Sequence, residues 1–175
     1  DNLKNDKDVV LAAVKQNWEA IKYASKIFEN DKDILLHAVK YNGALLFRAS
    51  KELKNDKEVV LAAIKQDCSV LFLASDDLKN DKEIVMEAVK QDGSTLLWIS
   101  DELKKDKNVL LAGINQDNSS ILWITDELKN NQEFLKTIIK KNPFVIKYIS
   151  EEIINYKEIV LEAVKQNKEV LYAIY

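Results

Sequence analysis

Apolar residues recur along this chain in a pattern that returns every 25 residues. Counting each unit from its first residue, positions 9, 10, 13 and 14 are apolar nearly throughout. They are Val9, Val10, Ala13 and Val14 in the first unit, and Ile84, Val85, Ala88 and Val89 in the fourth. This is the three-and-four spacing of a helix with one buried face. Position 11 is also apolar except at Lys136, which widens the stripe and predicts contacts on both sides of the helix. Polar residues gather at positions 7, 8, 12, 15 and 16. Aspartate at position 6 (Asp6, Asp31, Asp56, Asp81, Asp106) supplies an N-cap, its carboxylate accepting from amides that have no partner inside the helix. The pattern predicts a first helix, helix A, over positions 7 to 16.

Position 17 is always Asn or Asp, and in the sixth unit Asn142 precedes Pro143. An Asx cap followed by proline marks a helix start. Apolar residues at positions 20, 21 and 24, such as Val70, Leu71 and Ala74, then define a second helix, helix B. Its end is open to two readings. Leu78 and Leu103, at the third position of the next unit, continue the same stripe and favour one unbroken helix. Ser75, Ser100, Thr125 and Ser150 precede acidic pairs and favour a kink with a short third turn.

The anchor Asn5-Asp6-Lys7 returns at residues 30–32, 55–57 and 80–82, and in altered form at 105–107, 130–132 and 155–157, with no insertion. Seven units result: 1–25, 26–50, 51–75, 76–100, 101–125, 126–150 and 151–175. A single 25-residue unit buries too little apolar surface to offset the entropy of ordering it, so units must stack on their neighbours. The expected fold is an all-α solenoid, a superhelix of seven helix-turn-helix repeats in a single array, roughly 60 to 70 Å long if helix layers lie about 8 to 10 Å apart. The chain opens on the tail of a helix B at Asp1 to Lys4 and stops on a helix B at Tyr172 to Tyr175, which reads as a segment of a longer array or as ends that associate with one another.

The unit pattern, seen as Leu-Lys-Asn-Asp-Lys-Glu-Val-Val-Leu-Ala-Ala-Ile-Lys-Gln-Asp from Leu53 to Asp67, resembles the repeat family called domain of unknown function 4116. The resemblance covers all seven units and implies short helical repeats in tandem. It brings no activity and no functional residues.

Composition narrows the function classes. With 47% hydrophobic and 31% charged residues, three glycines and one proline, the chain is a folded, mostly helical protein. Its 26 basic and 29 acidic residues are interspersed and Arg48 is the only arginine, which counts against nucleic acid and anionic membrane as partners. The lone Cys68 permits neither an internal disulfide nor a thiolate zinc site and fits an intracellular, cytoplasmic setting. No apolar run approaches a membrane span. His37, the only histidine, sits on the polar face of helix A as a surface residue, and no Gly-rich loop or calcium loop exists. No catalytic residue, metal site or cofactor is expected.

Two tracks remain as candidate binding residues. Position 23 carries Tyr23, Arg48, Leu73, Trp98, Trp123 and Tyr148, and position 19 is small at Ala44, Ser69, Ser94 and Ser119. Aromatics beside a small-residue track form a groove for an extended segment or helix, the alternative being that the rings pack on the adjoining repeat. The second track is an acidic edge, Asp76-Asp77, Asp101-Glu102, Asp126-Glu127 and Glu151-Glu152, suited to a basic peptide or serving only as helix-start charge. Lysines at position 15 form a basic row that acids at position 8 are expected to neutralise. The expected function is a protein-binding scaffold without catalysis of its own. The alternatives are an RNA-binding repeat protein and a non-catalytic segment of a larger enzyme or effector.

Overall fold

A computed structural model describes residues 2–152 and 156–174; Asp1, Tyr175 and Asn155 of the seventh anchor lie outside them. Among the described residues every regular element is helical, and the chain is an all-α repeat solenoid. Two compact units divide it, Asp1–Ala88 and Val89–Tyr175.

Helix A is an α-helix in every repeat: Lys7–Gln16, Lys32–Val39, Lys57–Ile64, Lys82–Val89, Lys107–Gln116, Gln132–Lys141 and Tyr156–Gln166. The cap works as its chemistry requires. Asp56 Oδ1 accepts from the amides of Glu58 at 3.0 Å and Val59 at 3.1 Å, and Asn131 keeps one such bond, from Phe134 at 2.9 Å. Position 17 closes the helix. Asn17 turns extended, its own amide donates to the Ala13 carbonyl at 2.8 Å, and its side chain accepts from the amide of Glu19 at 3.0 Å, so one residue ends helix A and starts the next.

Helix B is wound differently from the α-helix its spacing suggests. In each repeat it is a 3₁₀ helix of six residues: Trp18–Tyr23, Gly43–Arg48, Cys68–Leu73, Gly93–Trp98, Asn118–Trp123, Pro143–Tyr148 and Lys168–Ala173. Position 24 then goes extended, with ψ 147 at Ala49 and 156 at Ala74, and position 25 follows as the cap of a short third turn. Ser50 and Ser75 accept from the amides of Leu53 and Leu78, each at 3.3 Å. Of the two readings of the helix end, the broken one holds, because the serine satisfies amides that a continuous helix would have bonded to its own carbonyls. The third turns run over Lys26–Asn30, Lys51–Lys54, Asp76–Lys79, Leu103–Lys105 and Asp126–Lys129.

The core is made of positions 9, 10, 13 and 14 of helix A, 20 and 21 of the 3₁₀ helix, and the apolar residues at 24 and 3. In the first unit Ile34, Leu35, Ala38, Val39, Val59, Val60, Ala63 and Ile64 are fully buried, and in the second Val109, Leu110, Ile139, Val145 and Ile146 are. Position 11 is half-buried at Leu11, Leu36 and Leu61, while the expected contacts on both sides of helix A are made, Lys32–Val39 packing on both Lys7–Gln16 and Lys57–Ile64. Neighbouring repeats approach closely where glycine permits it. A Cβ on Gly43 would come inside 3.0 Å of the Ala63 carbonyl oxygen, and one on Gly93 inside the same distance of Gly113 O.

The Asn-Asp-Lys anchor also sets the register between repeats of the first unit. Lys7 Nζ lies 2.8 Å from Asp31 and 3.0 Å from Asp33 of the next repeat, Lys32 2.8 Å from Asp56 and 3.0 Å from Glu58, and Lys57 2.8 Å from both Asp81 and Glu83. Each cap aspartate thus serves its own helix with one oxygen and the preceding repeat with the other. Burial pushes the Asp31, Asp56 and Asp81 carboxyls up. The lysine hydrogen bonds and capped amides outweigh it and hold all three below the usual carboxylate range. Exposed ion pairs add little energy each. Their consequence here is alignment, since a lysine reaches both acids only in one stacking register.

Candidate binding surface

The 3₁₀ winding decides which side chains face outward. In such a helix residues three apart lie one above another. Positions 18, 21 and 24 therefore align on the buried side and positions 19 and 22 on the open side. Position 22 carries Phe47 and Phe72 in the first unit, 71% and 49% exposed, and Leu97 and Leu122 in the second, 45% and 52% exposed. The adjacent residues Leu46, Leu71, Leu96 and Ile121 are buried. Small residues accompany the exposed ones: Ala44 with Phe47, Ser69 with Phe72, Ser94 with Leu97, Ser119 with Leu122. Within each unit successive 3₁₀ helices pack side by side, Gly43–Arg48 against Cys68–Leu73 and Gly93–Trp98 against Asn118–Trp123, so these pairs recur along one surface of each unit.

The expected pairing of position 23 with position 19 requires α spacing, which this segment lacks. Position 23 is instead heterogeneous. Tyr23 is 74% exposed and Trp123 42%, whereas Leu73, Trp98 and Tyr148 are half-buried. Arg48 is engaged, its Nη2 and Nε donating to Glu29 Oε1 at 2.7 and 3.1 Å. Lys147 holds its ammonium 4.7 Å from the centre of the Tyr148 ring. Among the serines, Ser69 and Ser94 are exposed, while the Ser119 hydroxyl donates to Asp117. That bond and the Ser119 amide hold the Asp117 carboxyl below its ordinary value.

The acidic edge is partly matched by lysines of the same short turns. Asp76 meets Lys79 at 3.8 Å, Asp101 meets Lys104 at 3.2 Å and Asp126 meets Lys129 at 3.4 Å. Asp77, Glu102, Glu127, Glu151 and Glu152 are exposed. Members of the two candidate tracks converge in the second unit, where Tyr148, Asp126 and Glu152 line one surface pocket of about 360 Å³ with Ile121, Leu122, Ile149 and Lys129. In the first unit a cation already rests on an aromatic of this surface. Lys54 Nζ donates to the Phe47 carbonyl at 3.0 Å and lies 5.8 Å from the Phe47 ring centre.

The apolar residues at position 22 escaped the sequence reading because Phe47, Phe72, Leu97 and Leu122 lie outside the 20, 21, 24 stripe of an assumed α-helix. A period of three, with position 22 aligned to position 19, would have marked them. The position-8 acids Asp33, Glu58 and Glu83 pair with the position-7 lysines of the preceding repeat and not with the position-15 row, although Glu58 lines one groove with Lys40 and Lys65. His37 and Cys68 are half-buried. Among the described residues no group of three or more His, Cys, Asp or Glu could hold a metal ion, and no helix is long and apolar enough to cross a membrane.

The family model described as Domain of unknown function (DUF4116) matches residues 1–29, 31–79, 56–104, 81–129, 106–154 and 131–174. From the second match onward each begins on the residue that caps helix A, at 31, 56, 81, 106 and 131. Among curated proteins and solved structures, none matches the chain. With matches running through all seven repeats, the chain belongs to the DUF4116 family of helical tandem repeats.

Proposed function

We propose that this chain is a protein-binding scaffold, without catalysis of its own, whose contact surface is the open side of the 3₁₀ helices. The observation that carries the reading is the row of large apolar side chains at position 22, each next to a sealed core residue at position 21. Contiguous exposed apolar surface is costly in a lone soluble protein and marks interaction sites. Rings and leucines with small residues beside them offer anchors with room for a partner's side chains. The acids at the rim of the second unit's pocket suit a partner segment that carries basic residues near its apolar anchor. A reducing, intracellular setting fits the single thiol of Cys68.

The test is selection of displayed random peptides on the full chain, followed by Phe47→Ser with Phe72→Ser, and Leu97→Ser with Leu122→Ser. Binders should be enriched and should lose affinity for one or both double variants while far-UV circular dichroism stays unchanged. Binders indifferent to all four changes would sink the reading. Retention of labelled single-stranded RNA with steep salt dependence would replace it with the RNA-binding alternative.

A further inference from the structure

We propose that the outer face of the A helices in the first unit is a second docking surface, for an acidic amphipathic helix of a partner protein, gripped by Lys15, Lys40 and Lys65 over Leu11, Leu36 and Leu61. None of these residues belongs to the 3₁₀ face, so the inference stands apart from the reading above.

Charge carries the first step. The acids of position 8 are occupied, Asp33 by Lys7 at 3.0 Å and Glu58 by Lys32 at 3.0 Å. Lys15, Lys40 and Lys65 are exposed and pair with no carboxylate among the described residues. They stand seven residues further along each helix than position 8, about 10 Å at the α-helical rise. The C-terminal ends of Lys7–Gln16, Lys32–Val39 and Lys57–Ile64 thus present three ammonium groups that no carboxylate among the described residues pairs with. The residues at position 12 between them, Ala12, His37 and Ala62, include no acid. Asp8, on the first helix, lies at the opposite end from Lys15.

Shape carries the second step. Each lysine follows a half-buried leucine by four residues, so Leu11 and Lys15, Leu36 and Lys40, and Leu61 and Lys65 share a helix face. Between the second and third of these helices Leu36, Leu61 and Ala62, with Lys40, Lys65, Gln66 and Glu58, line a groove of about 260 Å³, in which the Glu58 carboxylate is taken by Lys32 at 3.0 Å. The leucines supply an apolar floor that a phosphate backbone would leave unused. Successive A helices of this unit pack on one another. Packed helices lie about 8 to 10 Å apart, so the leucine-lysine pairs repeat at that step. A bound α-helix advances about 10.5 Å per seven residues and keeps one face toward the groove. An extended peptide covers the same step in about three residues and would turn its third side chain away. The spacing therefore selects a helix with apolar and acidic residues in heptad register.

The experiment is fluorescence anisotropy of the full chain with a labelled three-heptad peptide carrying leucine once per heptad and glutamate beside it. Binding should weaken as salt rises and should fall about tenfold or more in the Lys40→Glu, Lys65→Glu variant. The two side chains are exposed, so circular dichroism should stay unchanged. Leu36→Ser should also weaken it, and Phe47→Ser with Phe72→Ser should leave it intact, which separates this surface from the 3₁₀ face. Equal binding by a lysine-for-glutamate peptide, or indifference to the lysine reversal, would overturn the proposal. Tight single-stranded RNA binding that ignores Leu36→Ser, with no peptide binding, would overturn it too.

Discussion

Gly43→Ala probes the closest approach between repeats of the first unit. Gly43 opens its 3₁₀ helix, and an added Cβ would come inside 3.0 Å of Ala63 O and to 3.3 Å from both Ala63 C and Asp67 Cβ. The oxygen cannot swing aside, because it already accepts from the amides of Gln66 and Asp67, each at 3.0 Å. Ordinary contact begins at 3.4 Å, so the 3₁₀ helix must retreat from the next repeat by about 1.0 Å. A gap of about 1 Å forfeits about half of each dispersion contact. It opens around the buried Leu45 and Leu46. Overpacking of this kind costs about 1 to 3 kcal/mol. Alanine also stiffens the unfolded chain, which returns about 0.4 to 1 kcal/mol. The net expectation is a loss of about 1 to 2 kcal/mol, read as a lower urea midpoint with unchanged slope. Cys68→Ala is the control, since its position already carries a Cβ, and it should cost less. A Gly43→Ala chain as stable as the parent would show that the repeats do not meet through this carbonyl.

Asp56→Ala removes a cap and should cost about 1 kcal/mol. Asp56→Asn keeps the capping oxygen, as Asn131 does in the sixth repeat, and should cost less in the same urea titration; equal losses would assign the residue's role to Lys32 rather than to the cap. The pH dependence follows from the depressed carboxyls of Asp31, Asp56 and Asp81. Their folded pKa lies below the unfolded value of about 3.9, so their contribution is complete above that pH and drains away as pH falls through the folded value. Asp56→Asn should flatten this acid limb in urea midpoints measured across pH 2 to about 5. Ser120 buries its hydroxyl with no hydrogen-bond partner among the described residues, whereas Thr95 at the same repeat position donates to Asp92 O at 2.7 Å. Ser120→Ala should therefore stabilise the second unit by about 1 kcal/mol, and a destabilised variant would mean the hydroxyl is satisfied.

Helix A was legible because its 8 to 11 residues give the 3.6 period room to declare itself, and because Asp6 and Asn17 bracket it with side chains whose capping chemistry is specific; in the second, third and fourth repeats it ends at position 14, two residues short of the expected 16. The 3₁₀ segment was not. Six residues with apolar groups at positions 20, 21 and 24 fit either winding, and what decides is the extended backbone at both ends, at Asn42 and Ala49 for example. That single ambiguity kept Phe47 and Phe72 out of the candidate surface, which was drawn on the mixed set at position 23. The serine and acid pair at Ser75-Asp76 did carry the signal for the break, in competition with Leu78, which turns out to be buried from its own short helix. The lysine ladder was invisible for a different reason. Lys7 and Asp31 are 24 residues apart, and only the stacking of repeats brings them to 2.8 Å. Reading position 8 against position 15 within one helix assigned the acids to the wrong cations.

On the proposed reading, 3₁₀ winding seals position 21 and bares position 22 as the partner-binding face. Hydroxyl-radical footprinting of the chain, alone and saturated with a selected peptide, addresses both halves at once. Phe47, Phe72, Leu97 and Leu122 should oxidise readily in the free chain and become protected by the peptide, while Leu46, Leu71, Leu96 and Ile121 resist throughout. Equal oxidation of the two sets, or a bound peptide that shields none of the first four, would contradict it.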